Sequence, residues 1–130
     1  MKRRTYLSTM LAGAAALGVQ AADPAHPIQL HVDLKVDPAK EKAFVDYFEK
    51  TFRPTAIKHG QGYIDVKLLK LRSALMGKAP EGVNYRFNLT YQSEELRQKW
   101  VASPEHMKVW PVLEGMLSDK NYTVVLFDVH

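Results

Sequence analysis

From position 28 the chain alternates with a period of two: Ile28, Leu30, Val32, Leu34 and Val36 fall on one side, Gln29, His31, Asp33 and Lys35 on the other. That spacing predicts a β-strand with one buried face. Asp37-Pro38 then supplies a helix start, a carboxylate that can cap free N–H groups followed by a residue that lacks one. Phe44, Phe48 and Phe52 recur at every fourth position with Val45 and Tyr47 beside them, predicting an amphipathic helix disturbed by Arg53-Pro54 and closed by His59-Gly60-Gln61-Gly62. Tyr63 to Arg72 reads as a second strand, in which the adjacent pair Leu68-Leu69 calls for a bulge or a strand end buried on both sides. Gly77, Pro80 and Gly82 mark Ser73 to Gly82 as a hairpin loop.

A second clean alternation follows, with Val83, Tyr85, Phe87, Leu89 and Tyr91 against Asn84, Arg86, Asn88 and Thr90. Ser93-Glu94-Glu95 caps a helix carrying Leu96 and Trp100, and Ser103-Pro104-Glu105 opens another that Pro111 is expected to interrupt or restart. Val112, Leu113, Met116 and Leu117 give it an apolar face, and Tyr122 to Val129 is the last strand. The order β-α-β-β-α-β predicts an α+β, ferredoxin-like fold: a four-stranded antiparallel sheet with both helical segments on one face. The other face then carries Gln29, His31, Asp33, Lys35, Asn84, Arg86, Asn88 and Thr90. It is either a solvated surface or the wall of a space closed by pairing two such sheets.

Charge changes the picture at the N-terminus. Of 130 residues, 18 are Lys or Arg and 14 Asp or Glu, a formal net charge of +4. Lys2-Arg3-Arg4, an apolar run from Tyr6 to Val19 and the small residues around Ala21 have the three parts of a secretory signal, and Arg3-Arg4 suits the twin-arginine type. As a helix the run would reach roughly 21 Å, short of the hydrocarbon core, so no stable membrane anchor is expected. The chain therefore divides into a signal peptide at 1–21, a lead-in at 22–27 containing Pro24 and Pro27, and a domain at 28–130, exported to the periplasm or beyond. Removing Lys2, Arg3 and Arg4 nearly balances the remaining charge, which argues against nucleic acid as a partner. The absence of cysteine excludes disulfides, Cys-ligated metals and thiol nucleophiles.

Neither a phosphate-binding Gly loop nor a nucleophile elbow occurs, and His31-x-Asp33 is a fragment too small for a metal site. His31 and Asp33 share a strand face, so the carboxylate could orient the imidazole as a general base. Arg86 and Asn88 could steady negative charge, or pair with Asp33 or Asp65. Trp100, His106 and Trp110 are candidates for substrate packing, and core packing is the alternative for both tryptophans.

The element order, together with His59-Gly60-Gln61-Gly62-Tyr63 and Trp100-Val101-Ala102-Ser103-Pro104-Glu105-His106, resembles the antibiotic biosynthesis monooxygenase-like family of dimeric α/β barrels. The resemblance spans roughly Ile28 to Val129. It implies a homodimer whose sheets form a barrel, with a cavity between sheet and helices in each subunit. It also implies monooxygenase activity on a small aromatic such as a phenol or quinol, with no cofactor. In the heme-degrading branch, the expected Asn falls at His31, the expected Trp at Trp100 and the ligating His at Trp110, with His106 one turn earlier. One position of three matches, so heme is disfavoured. The alternative to an enzyme is a periplasmic domain that binds a ligand or dimerises through its polar sheet face.

Overall fold

The cleanest alternation in the sequence becomes a central strand. In a computed structural model that describes residues 26–130, β1 spans Ile28–Val36 and its five apolar side chains are buried while the intervening four are half-buried. The signal peptide and all but the end of the lead-in lie outside the described residues. β2 is Tyr63–Lys70, β3 is Tyr85–Tyr91 and β4 is Leu117–Asp128. The sheet order is β2-β3-β1-β4, every neighbouring pair antiparallel, which is the ferredoxin-like arrangement. The two best-patterned strands thus occupy the middle, where a one-residue slip would turn five core side chains outward.

Between β1 and β2 the chain is one helical stretch in several geometries. The Asp37 carboxylate accepts the Ala39 N–H at 2.9 Å and a 3₁₀ turn, Pro38–Lys40, leads into α1, Glu41–Tyr47. A π-helical segment, Phe48–Phe52, then joins α1 to α2, Arg53–His59, with the Arg53 N–H bonded to the Phe48 carbonyl five residues back. Pro54, with no N–H to give, accounts for the widened turn just before it. The stripe survives it: Phe44, Phe48, Phe52 and Ala56 are each at most 1% exposed.

β3 leads to α3, Glu94–Val101, and α4, Pro104–Glu114, whose N-caps Ser93 and Ser103 accept the N–H groups of Leu96 and His106, each at 3.2 Å. Three details differ from the sequence pattern. Pro111 does not break α4; it lies on the exposed side, where water can take the place of the missing hydrogen bond. The irregularity in β2 falls between Tyr63 and Asp65, and Leu68-Leu69 needs no bulge because β2 is an edge strand, with Leu68 packed on the core and Leu69 exposed. β4 starts at Leu117, well before Tyr122, because Leu117 and Asp119 pair with Val36 and Lys35 through two register shifts. The backbone needed tertiary partners there that local alternation does not reveal.

Candidate functional site

A cleft of about 150 Å³ opens between the helix-covered face of the sheet and the helices. Its floor is Leu30 and Val32 of β1 with Phe87 and Leu89 of β3, the inward positions of the two alternations. Phe52 enters from the π-helical segment, whose extra residue per turn sets the direction of that ring relative to Phe48. The rest is mostly aromatic, Trp100 from α3, His106 and Trp110 from α4 and Tyr122 from β4, with Val101 and Val124 beside them.

These rings form one packed group. His106 stacks on Trp110 with centroids 6.2 Å apart and planes at 17°, and meets Trp100 edge-on at 5.2 Å and 83°. Phe52 makes edge contacts with His106, Trp100 and Trp110. Burial in this apolar surround, with the Arg97 charge adding to it, pushes the His106 imidazole down to about 4, so it is neutral at ordinary pH. No described residue hydrogen-bonds to either of its ring nitrogens. They remain available to a ligand.

The far wall is a satisfied polar chain. Trp110 Nε1 donates to Tyr122 Oη at 3.2 Å, and Tyr122 Oη donates to Glu114 Oε2 at 2.8 Å. Burial first, and the Glu114 carboxylate second, raise the Tyr122 hydroxyl above its ordinary value and keep it protonated. With that hydroxyl engaged, unclaimed ring polarity in the cleft wall rests, among the described residues, with His106 and with Trp100, whose buried Nε1 has no hydrogen-bond partner, and of the two only the His106 imidazole can accept a proton.

The structure divides the sequence-predicted site residues between the two faces of the sheet. Trp100, His106 and Trp110 come together in the cleft. His31, Asp33, Arg86 and Asn88 lie on the opposite face, where the register sets His31 across from Asn88 and Asp33 across from Arg86. There the expected orientation of His31 by Asp33 is replaced by other pairings. Arg86 takes both Asp33 oxygens, Nε to Oδ1 at 2.7 Å and Nη2 to Oδ2 at 3.2 Å, while His31 Nε2 sits 2.6 Å from Gln29 Oε1. The bidentate fit of guanidinium to carboxylate outcompetes an imidazole two residues along the same strand. Burial and then the Arg86 charge lower the His31 pKa despite Asp33.

Phe52, Tyr122 and Glu114 were not among the sequence candidates. Phe52 read as one more core position of its stripe. Tyr122 and Glu114 meet across the turn between α4 and β4, and no local spacing marks that contact. Among the described residues, no three His, Asp or Glu side chains converge as metal ligands. A cleft of about 150 Å³ accommodates a benzene-sized ring.

No protein-family model and no curated protein matches the sequence. Solved structures do match the fold. A candidate antibiotic biosynthesis monooxygenase from Caulobacter crescentus superposes with a TM-score of 0.64 at 18% identity, over 82% of this chain and 92% of that one. A second, from Nitrosomonas europaea, gives 0.62 at 12% identity over 87% and 95%. A mutant form of SnoaB, a cofactor-independent oxygenase from Streptomyces nogalater, gives 0.58 at 15% identity over 80% and 93%. The likeness is one of fold, and it agrees with the family resemblance carried by the sequence.

Proposed function

We propose that this protein is a cofactor-independent monooxygenase acting on a one-ring phenol or quinol in the aromatic cleft. The observation that carries the proposal is His106, a neutral imidazole with unpartnered nitrogens held between Trp100 and Trp110. A phenol ring in the cleft would pack on the tryptophans and present its hydroxyl to a His106 nitrogen. An imidazolium with a pKa of about 4 is too acidic to form by taking a proton from a resting phenol, whose own pKa is about 10. His106 instead accepts the hydrogen bond and takes the proton as the ring gives up electron density to oxygen. A ring carbon and O₂ then form a hydroperoxide, which loses water to leave a carbonyl. Phenol plus O₂ becomes quinone plus water, with one oxygen atom in each product and the ring supplying all four electrons. The fold shared with SnoaB supports this reading, since that protein is a cofactor-independent oxygenase.

Two further parts belong to the same proposal. Residues 1–21 direct export, which N-terminal sequencing of the protein recovered outside the cytoplasm would check. The polar sheet face meets its copy in a second subunit, with Val125 and Phe127 of β4 beside His31 and Gln29 as apolar contacts.

A second reading places the chemistry on that outer face. Gln29 Oε1 can only accept, so His31 Nε2 carries the proton and Nδ1 is left as a base. Oxygen uptake with hydroquinones, measured for wild type, His106→Ala and His31→Ala, separates the two. Loss of turnover in His106→Ala alone supports the cleft, and loss in His31→Ala alone moves the reaction to the outer face. No uptake by wild type with any one-ring phenol leaves a ligand-binding or dimerisation domain.

A further inference from the structure

Residues 71–84, between β2 and β3, form no helix or strand, a length of irregular chain that is uncommon inside a compact domain. The base of the loop is fixed. Leu71 N–H bonds Asn84 O at 2.8 Å, Asn84 N–H bonds Leu34 O at 3.0 Å, and the Asn84 side chain bonds both the N–H and the carbonyl of Val36. The tip stands clear of everything. Leu75 is 97% exposed and Met76 93%, and a Cβ added at neighbouring Gly77 would meet nothing within 4 Å. The cations Lys70, Arg72 and Lys78 flank the tip, against one acid, Glu81. Lys70 is held by Glu41, whereas Arg72 and Lys78 are exposed and in no ion pair among the described residues.

We propose that this loop docks the protein on anionic phospholipid bilayers, with Leu75 and Met76 entering the acyl boundary and Arg72 and Lys78 meeting the phosphate headgroups. Shape and charge together favour that occupant. A stable protein interface needs about 800 Å² per partner, which a convex tip of two side chains does not offer. A fluid surface closes around such a tip at any angle. Negative headgroups complement the two unpaired cations, each worth about fivefold in binding near an anionic surface. The inference stands apart from the chemistry of the cleft.

The chain has no cysteine, so Met76→Cys carries a polarity-sensitive fluorophore at the tip alone, and Gln92→Cys carries it at the opposite end of β3. Both share the same N-terminal segment, so the difference between them reports the loop. On phosphatidylcholine vesicles containing phosphatidylglycerol, the tip label is expected to shift to the blue and to be quenched by spin-labelled acyl chains. On phosphatidylcholine alone, and at position 92, it is expected to stay unchanged. In the tip-labelled protein, Arg72→Gln with Lys78→Gln weakens vesicle binding about 25-fold. No shift at position 76 on anionic vesicles overturns the proposal, as does an equal shift at both positions or on both lipids. A shift without lipid that grows with protein concentration also overturns it, and assigns the tip to a second copy.

Discussion

The neutral state of His106 makes stability depend on pH in a way that can be worked through. In the unfolded chain this imidazole has its ordinary pKa of about 6.5, and in the folded protein burial among Trp100, Trp110 and Phe52 lowers it to about 4. Above the unfolded pKa the residue is neutral in both states and contributes no pH dependence. As pH falls below 6.5 the unfolded chain takes up a proton that the folded protein refuses, so stability is lost progressively down to about pH 4. Linkage gives a loss of about 2 kcal/mol between about pH 7.5 and 5, reduced to about 1 kcal/mol for the partial exposure of the ring. Carboxylates titrate in the lower part of that range, so the informative quantity is a difference. Urea unfolding of wild type and His106→Gln at several pH values should show the wild type losing about 1 kcal/mol more than the variant on acidification. Parallel stability curves would mean that His106 is solvated in the folded protein, and the neutral base in the cleft would go with it.

Other expectations are as direct. Tyr122→Phe leaves Trp110 Nε1 without its acceptor and Glu114 without its donor, which should cost about 1–2 kcal/mol in chemical denaturation. A methyl group at Gly60 would overlap the Tyr91 hydroxyl and lie 2.6 Å from the Ala56 carbonyl, so Gly60→Ala should destabilise by about 1–3 kcal/mol, and Tyr91→Phe in the same chain should restore part of it. Asp33→Asn breaks a half-exposed ion pair and should change the unfolding free energy by less than about 1 kcal/mol, with oxygen uptake unaltered if the reaction is in the cleft.

The legibility of the fold followed burial. β1 and β3 could be read because both are central strands, covered on one face and half-covered on the other, so their side chains alternate cleanly. β2 and β4 are edge strands, and their boundaries depended on partners. β4 is apolar on both sides, from Val124 through Phe127, with every one of those residues more than 40% exposed, and its first residues pair through register shifts. The caps at Asp37, Ser93 and Ser103 were legible because a cap is a contact within three residues.

Sequence alone determined that this chain makes a βαββαβ sheet with helices on one face, since period, caps and turn residues are local and mutually consistent. It also supplied every ring of the cleft but not their grouping. Trp100, His106 and Trp110 sit at spacings that suit core packing equally well, and only the fold sets Phe52 and Tyr122 against them. Tertiary structure likewise decided that His31 and His106 stand on opposite sides of the sheet, and that Asp33 serves Arg86 in place of His31. The reason is that alternation fixes which face a strand residue takes, while the distance between faces and the competition for a carboxylate are settled across strands, by register.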